Sequence, residues 1–192
     1  MSNLFVTSDT HFGHQAEFLW RSRGFSSTEE MNEAIIERWN KTVSKDGITY
    51  LLGDTMLNDN KKGIECFSRL NGQIFLIAGN HDTSNRLDML YTDERTKHKM
   101  QGWWYAWLIK YGKLSIYMSH YPTLTSNYDE KYFSQHVISL HGHTHSKEKW
   151  MDEENPFLYN VCLDAHNCYP VAIDDIIIDV RKKFLELRDK HE

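Results

Sequence analysis

The sequence lacks features that would place the protein in a membrane, outside the cell or on nucleic acid. No apolar run approaches the ~20 residues of a membrane-spanning helix, and the apolar stretch at residues 4–6 is too short for a secretory signal. The three cysteines, Cys66, Cys162 and Cys168, form no C-x-x-C pair, which indicates reduced thiols rather than a disulfide framework. With 22 basic and 27 acidic side chains, the net charge is −5, so the chain lacks the basic excess that nucleic-acid-binding surfaces need. We therefore expect a cytoplasmic protein that forms no stable complex with a membrane or nucleic acid.

The length and composition predict one soluble domain. Hydrophobic residues make up 40% of the 192 residues and charged residues 26%, which is typical of a folded globular protein. No repeat, low-complexity tract or linker interrupts the chain, so residues 1–192 are predicted to form a single domain. Strand-like segments outnumber helical ones and alternate with them only in the first half. This pattern predicts a layered α/β domain in which sheet packs on sheet and helices lie outside.

Apolar periodicity predicts the individual elements. The sequence Ser27-Thr28-Glu29-Glu30 resembles a capping box at the start of an amphipathic helix over residues 28 to about 43. Tyr111-Gly112 is predicted as the turn of a β-hairpin between strands at 103–110 and 113–119. The other predicted strands lie at residues 4–8, 48–52, 74–78, 137–140 and 157–163. Further helices are predicted at 63–70 and from Asp174 or Asp175, as the cap, to about residue 187.

Five of the apolar strands end within about two residues of a side chain that can bind a metal ion. These side chains are Asp9, His11, Asp54, Asn80, His120, His143 and His145. Because loops at the carboxyl ends of strands gather at one edge of an α/β fold, five distant strands can bring them into one cleft. Imidazole, carboxylate and amide ligands without thiolate suit Mn²⁺, Fe, Zn²⁺ or Ni²⁺ rather than Ca²⁺. Seven ligands are too many for one tetrahedral ion and suit two ions that share a carboxylate.

Four of the ten glycines stand beside these ligands, which fits loops that turn sharply and approach an ion closely. They are Gly13, Gly53, Gly79 and Gly142.

The ordered ligand blocks resemble the signature of the calcineurin-like metallophosphoesterases. The blocks are Asp9-x-His11, Gly53-Asp54, Gly79-Asn80-His81-Asp82, His120 and Gly142-His143-x-His145. They span residues 9–145, are similar to those of compact single-domain members from bacteria and phages, and are followed by a weaker likeness over 160–170. The resemblance implies a four-layer αββα sandwich, with two mixed sheets flanked by helices, and metal-dependent hydrolysis of phosphoesters.

The resemblance also implies how the ligands divide between two divalent ions. The first ion would take Asp9, His11 and His145, the second would take Asn80, His120 and His143, and Asp54 would bridge both. A hydroxide that bridges the ions would attack phosphorus in line. Mn²⁺ is the expected metal, with Fe, Zn²⁺ or Ni²⁺ as alternatives.

Four further residues are candidates for catalysis or substrate contact. The resemblance implies that His81 protonates the leaving oxygen as a general acid and that Asp82 orients its ring. His14 follows His11 by three residues and could reach the substrate phosphate or, alternatively, cap the following helix. Arg86 is a candidate phosphate contact because it lies close to a ligand block in the sequence. The same argument applies to Arg21 and Arg23, and a solvated surface is the alternative for all three arginines.

The substrate is expected to be a small phosphodiester or phosphomonoester. No Arg follows Asp54 at residues 55–60, whereas the protein Ser/Thr phosphatases of the superfamily that this sequence resembles carry one there, which disfavours a phosphoprotein substrate. Two divalent ions set against Asp9, Asp54 and one hydroxide leave a formal charge of +1, which matches a singly charged diester. A nuclease or nucleotide phosphatase is the alternative enzyme. A metal-holding scaffold without catalysis is a third possibility that the intact His81-Asp82 pair disfavours.

The sequence leaves two aromatic segments and one histidine with two interpretations each. Trp103, Trp104, Tyr105 and Trp107 could stack on bases, but packing within a sheet is the preferred interpretation. Residues 121–135 lie between two ligand blocks, so their aromatic side chains contact either the substrate or the core. His141 is interpreted as a core histidine, with support of a metal ligand as the alternative.

Overall fold

The computed structural model describes residues 3–125 and 132–191 and contains two mixed β-sheets with helices. The strands are β1 (Leu4–Thr7), β2 (Ile48–Leu51), β3 (Gln73–Ile77), β4 (Met100–Trp104), β5 (Ala106–Tyr111), β6 (Leu114–Ser119), β7 (Val137–His141), β8 (Leu158–Asn160) and β9 (Val171–Ala172). The helices are α1 (Glu17–Ser22), α2 (Thr28–Thr42), α3 (Asn60–Ser68), α4 (Ser84–Thr92) and α5 (Ile173–His191). Two short 3₁₀ helices lie at Phe133–Gln135 and Leu163–His166.

The sheet topology places the carboxyl ends of five strands at the same edge of the molecule. The first sheet has the order β4-β3-β2-β1-β9, and only β9 runs antiparallel to its neighbour. The second has the order β5-β6-β7-β8, in which β5 is antiparallel. In register, Thr7 pairs with Leu51 and Leu51 with Leu76, so the chain leaves β1, β2 and β3 at one level. The prediction of an α/β fold with two mixed sheets is confirmed.

The first sheet is buried on both faces because its strands separate two hydrophobic cores. Phe5 and Leu51 face a core that they share with α1–α4, whereas Val6 and Tyr50 face the second sheet. This arrangement explains the continuous apolar runs of the parallel strands. The second core also contains α5 through Val180, so the helices are divided unevenly, four against one.

The aromatic segment near residue 105 departs from the prediction of one strand over 103–110. The chain leaves the first sheet after Trp104, which pairs with Ile77, and enters the second at Ala106, which pairs with Ser119. The rings of Trp104 and Trp107 lie 4.1 Å apart across this junction. Because the aromatic residues follow one another, the hydrophobic pattern does not change where the chain passes from one sheet to the other. The change therefore left no sign in the sequence. The β5–β6 hairpin itself is confirmed.

The cap at the start of helix α2 includes one residue more than predicted. The Ser27 hydroxyl accepts a hydrogen bond from the Glu30 amide, as expected, but the Glu30 carboxylate accepts from the amide of Ser26 rather than of Ser27. Helix α5 begins at Ile173, so Asp174 and Asp175 lie in its first turn instead of capping it. Acidic residues there still interact favourably with the helix dipole.

The sequence also led us to expect reduced thiols and no membrane-spanning helix. Cys66, Cys162 and Cys168 are all buried and free of disulfides. None of the helices over residues 3–125 and 132–191 is both long and apolar enough to cross a membrane.

Candidate metal centre

The loops that carry the seven predicted ligands meet at the carboxyl ends of β1, β2, β3, β6 and β7. Five ligands adopt left-handed backbone conformations, a state that costs of order 1–3 kcal/mol and is tolerated better by Asp and His than by most residues. Their φ angles are 61° at Asp9, 48° at His11, 53° at Asp54, 69° at His143 and 50° at His145. Backbone hydrogen bonds hold the first two loops together, since Asp9 donates to Gly53 and His11 to Asp54, both at 2.9 Å.

Three ligands form a first cluster. The Nε2 atoms of His11 and His145 lie 3.2 Å apart. The Oδ1 atom of Asp9 lies 3.8 Å from the former and 3.7 Å from the latter. This oxygen is buried and has no hydrogen-bond partner in the structure. Ligand atoms about 2.1 Å from a common ion are themselves roughly 3.0–3.4 Å apart. The two histidine nitrogens have this spacing, and Asp9 Oδ1 lies a few tenths of an ångström beyond it, so the three groups could hold one ion after a small shift of the carboxylate.

Three other ligands form a second cluster. The Oδ1 atom of Asn80 lies 2.9 Å from His120 Nε2 and 2.9 Å from His143 Nδ1. The two imidazole nitrogens are 3.2 Å apart. One amide oxygen and two imidazole nitrogens suit the same borderline divalent metals as the first cluster.

Asp54 lies between the clusters. Its Oδ2 atom is 3.6 Å from His11 Nε2 in the first cluster and 3.6 Å from His120 Nε2 in the second. One carboxylate oxygen is therefore equally close to both groups. This is the position that a ligand shared by two ions must occupy.

Each aspartate uses one oxygen to hold a loop and leaves the other for the cluster. Asp9 Oδ2 accepts a hydrogen bond from the His143 amide, and Asp54 Oδ1 accepts from the His81 amide, both at 2.9 Å. The Asp9 contact also ties the loop of the first cluster to that of the second. The remaining oxygens are thus aimed by backbone contacts rather than by free rotation.

Two histidines are fixed in the tautomer that a metal needs. His120 Nδ1 lies 2.8 Å from the Leu52 carbonyl, and His145 Nδ1 lies 3.0 Å from Asp164 Oδ2. A carbonyl or carboxylate oxygen can only accept, so each Nδ1 carries the proton and each Nε2 presents a lone pair. Those lone pairs point at other acceptors within their clusters, an arrangement that a cation satisfies. The residues therefore fit divalent ions.

Burial also favours neutral imidazoles in the cleft. It is the main reason that the pKa of His11 lies well below its usual value, and Arg23 lowers it further. Burial likewise lowers the pKa of His143. For His145 burial is again the largest single effect and acts in the same direction, but the hydrogen bond with Asp164 and the charges of Asp9 and Asp164 together outweigh it and raise the pKa. Burial raises the pKa of Asp54, and a bound cation would oppose this shift.

Glycine is required at positions 79 and 142 because the backbone there passes close to the carboxylates of Asp54 and Asp9. A Cβ atom on Gly79 would lie 2.3 Å from Asp54 Oδ1, and one on Gly142 would lie 2.4 Å from Asp9 Oδ2. Any side chain at either position would displace a ligand carboxylate. The prediction that these glycines allow tight loops beside the ligands agrees with this geometry.

Asp82 and Arg86 do not have the roles expected of them. Asp82 was expected to orient the His81 ring, but its carboxylate accepts from three backbone amides, at 2.7 Å from Asp54, 2.9 Å from Gly79 and 3.0 Å from Thr55. Arg86 was expected at the substrate, but it donates to the His81 carbonyl at 2.6 Å and to Asn60 Oδ1 at 3.0 Å. Both side chains fix the loops that carry ligands.

An ion pair that the sequence did not reveal supports the first cluster. Arg23, whose side chain is 1% exposed, donates to both oxygens of Asp164 at 3.1 and 2.7 Å and to the Asp9 carbonyl at 2.8 Å. Arg23 was expected on the surface or at phosphate, and burial with Asp164 excludes both. Burial raises the pKa of Asp164, but the hydrogen bonds from His145 and Arg23 outweigh it and lower the pKa, which keeps a carboxylate behind the His145 ring.

The clusters line a cleft of about 230 Å³. Its walls are formed by His11, His14, Phe18, Leu19, Asp54, Asn80, His81, His143 and His145. His81 is 40% exposed and its Nε2 lies 3.9 Å from Asp54 Oδ2, so it can meet a substrate at the cleft. His14 also lines the cleft, whereas Ala16 occupies the cap position of the following helix.

No lysine or arginine is among the described residues that line the cleft. Arg23 and Arg86 are held by the contacts above. Arg21 forms an exposed ion pair with Glu17 on α1. Positive charge at the cleft would therefore come from protonated histidines or from bound cations.

The structure also bears on the alternatives that the sequence left open for His141 and for the aromatic residues of 121–135. His141 is fully buried and its Nδ1 lies 2.9 Å from the Gly142 carbonyl, so it is a core histidine. Phe133 packs on Phe157, whereas Tyr121 borders the ligands His120 and His143. Tyr128 lies outside the described residues.

Comparisons with known proteins agree with this geometry. The model of the calcineurin-like phosphoesterase family matches residues 2–182. An uncharacterised protein of Methanocaldococcus jannaschii is 31% identical, over 95% of this chain and 93% of its own length. The Gene 66 protein of Mycobacterium phage D29 is 26% identical, over 95% and 99%. The crystal structure of an Aquifex aeolicus protein of unknown function superimposes with a TM-score of 0.64 at 21% identity, covering 90% of this chain and 96% of that one.

Proposed function

This chain belongs to the calcineurin-like phosphoesterase family, and from that membership and the paired clusters we propose that it is a dinuclear-metal-dependent phosphodiesterase. The observation that carries the proposal is the position of Asp54 Oδ2, 3.6 Å from a histidine of each cluster. A site for a single ion would have no use for a carboxylate placed in this way. The buried thiols and acidic composition support a cytoplasmic enzyme with a small substrate.

The proposed first ion is held by Asp9, His11 and His145, and the second by Asn80, His120 and His143, with Asp54 shared. Two divalent ions there would polarise the phosphoryl oxygens and lower the pKa of the attacking water. The mixture of nitrogen and oxygen donors suits Mn²⁺, and Fe, Zn²⁺ and Ni²⁺ are alternatives.

His81 is the proposed general acid. Its backbone amide is held by Asp54 and its carbonyl by Arg86, so both ends of the residue are fixed while the ring stays accessible in the cleft. A protonated ring placed in this way can donate to the leaving oxygen as the bond to phosphorus breaks. In this proposal, the residue that transfers the proton is not one of the residues that hold a metal ion.

The charge of the cleft favours a diester over a monoester. Asp9, Asp54 and an attacking hydroxide would bring three negative charges against the four positive charges of two divalent ions, and no arginine or lysine among the described lining residues adds positive charge. A monoester dianion would gain from additional cations, whereas a singly charged diester does not need them. A phosphodiester of small size is therefore the proposed substrate.

The test compares four substrates at fixed Mn²⁺ and salt, after chelation and titration back with metal. They are bis-p-nitrophenyl phosphate, p-nitrophenyl phosphate, a phosphopeptide and linear duplex DNA. We expect chelation to abolish hydrolysis, two bound ions per chain to restore it, and kcat/KM to be highest for the first. Full activity with one ion, or a phosphopeptide or duplex DNA as the best substrate, would contradict the proposal. A large preference for the monoester would reject the charge argument.

A further inference from the structure

A large aromatic side chain stands exposed at one end of the cleft. Phe18 is 73% exposed although it belongs to helix α1. Its ring meets that of His14 edge to face at 5.9 Å, and His14 in turn lies 5.4 Å from the ring of the ligand His11. The neighbouring Leu19 is buried and anchors the helix in the first core, so packing does not require Phe18.

A second exposed aromatic side chain lies beside the other cluster. Tyr121 is 51% exposed, and its ring lies 4.8 Å from that of His143 and 5.1 Å from that of His120. Phe18 therefore adjoins the cluster of His11, and Tyr121 adjoins the cluster of His120. The first contact runs through the ring of His14, whereas Tyr121 contacts two predicted ligands directly.

We propose that Phe18 and Tyr121 form an aromatic subsite that binds the flat ring of a nucleoside carried by the phosphodiester substrate. This inference rests on the proposed function and names the substrate class of the same site. Each ester arm of a phosphodiester bound between the clusters would extend toward one of the two rings. Stacking on such a ring would hold a nucleobase without any need for basic side chains.

Stacking on one aromatic ring is strong enough to discriminate between substrates. Stacking of one base on an aromatic side chain strengthens binding by roughly 5- to 150-fold. Because the described residues of the cleft include no lysine or arginine, contacts to the ester groups are the main source of discrimination left to the protein. The rings would be covered when substrate is bound, which accounts for large apolar side chains exposed beside a polar cleft.

The experiment uses the Mn²⁺-loaded enzyme and three diesters with the same p-nitrophenolate leaving group. Their other arm is thymidine through its 5′-oxygen, phenyl or methyl. We expect kcat/KM for the thymidine ester to exceed that for the methyl ester about tenfold or more. The ratio should fall at least about threefold in whichever of Phe18→Leu and Tyr121→Leu removes the ring that holds the thymidine arm, and it should be retained in Phe18→Trp and Tyr121→Phe, which keep a ring.

Tyr105→Leu serves as the matched control, because Tyr105 is 76% exposed and packs on Trp103 rather than on a ligand. A wild-type ratio near one, or a ratio that both leucine variants leave intact, would overturn the inference while the phosphodiesterase proposal stands. A phenyl ester hydrolysed as well as the thymidine ester would overturn the nucleoside class. Failure to hydrolyse all three esters would instead reject the proposed function and the inference with it.

Discussion

The two ligand clusters share Asp54 but differ in charge and in support. The first contains the carboxylate of Asp9, and its His145 is backed by the buried Asp164–Arg23 pair. The second contains the neutral amide of Asn80, and its His120 is backed only by the Leu52 carbonyl. Its third ligand, His143, is exposed. The two candidate ion sites are therefore chemically unequal.

This inequality predicts two ions with different affinities. A charged ligand and a carboxylate behind a histidine both strengthen cation binding, so the first cluster should hold its ion more tightly. The exposed second cluster, with one fewer carboxylate of its own, should exchange its ion more readily. The following changes test the comparison, beginning with the ligand that belongs to both clusters.

Asp54→Asn should have the largest effect because it removes a charge from both clusters. The amide oxygen can still accept from the His81 amide, so the loop should keep its conformation. We expect both ions to be lost at concentrations that saturate the wild type and kcat/KM to fall by roughly 10⁴-fold or more. Asp9→Asn should weaken mainly the first ion.

Elemental analysis of dialysed protein measures the ion count of each variant. Asp88→Asn is the matched control, because Asp88 is an exposed aspartate on α4 whose side chain lies away from the cleft. If Asp54→Asn retained both ions at wild-type affinity, the shared position of Asp54 would have no functional meaning.

His81→Gln tests a residue that belongs to neither cluster. Both ion affinities should be unchanged, and kcat should fall by ~10²–10⁴-fold because the leaving oxygen loses its proton donor. The loss should be small for a p-nitrophenolate leaving group and large for an alkoxide, so the comparison uses one diester of each kind. His98→Gln, at an exposed histidine, is the control. Equal losses on both diesters would indicate positioning or electrostatic stabilisation instead.

Asp164→Asn should weaken only the first cluster. Asparagine has a single side-chain oxygen, so it cannot accept from both Arg23 nitrogens and from His145 as the two carboxylate oxygens do, and the affinity for the first ion should fall by about 10–100-fold. Calorimetric titration of metal into chelated protein resolves the two affinities. Asp179→Asn is the control, since Asp179 accepts from Lys149 and Tyr159 away from the ligands. A similar loss in both clusters would show general destabilisation.

Asp164 also marks the limit of what the sequence could predict. The strand ends and the ordered ligand blocks were readable because hydrophobic patterning and short motifs are local. The pairing of Arg23 with Asp164 joins residues 141 positions apart, and neither residue stands in one of the ligand blocks. The same holds for Asp82, whose backbone contacts depend on the folded loops, although its place after His81 suggested a role with that ring.

The fold shows a similar division. The α2 helix and the β5–β6 hairpin followed from periodicity, a cap and a turn. The change of sheet at Tyr105 did not, because adjacent tryptophans can serve either sheet and only the contacts across the junction decide. Exposure of Phe18 was equally invisible, since the sequence gives no reason for one apolar residue of a short helix to face solvent.

Asn80→Asp should have the smallest effect and the most specific one, because it makes the second cluster resemble the first. The Oδ1 atom of residue 80 already lies 2.9 Å from both histidine nitrogens, so the change adds charge without a change of shape. We expect the second ion to bind about tenfold more tightly, because ligand charge tunes affinity at such sites. The first ion should be nearly unaffected. The added negative charge should also raise KM for an anionic diester.

Competition with a metal-sensitive chelator gives both affinities, and Asn85→Asp, at an exposed position on α4, provides the control for added surface charge. Equal affinities in the wild type would contradict the predicted inequality between the clusters. If the affinities differed but the substitution left the second one unchanged, the inequality would come from exposure of His143 rather than from the charge of the ligands.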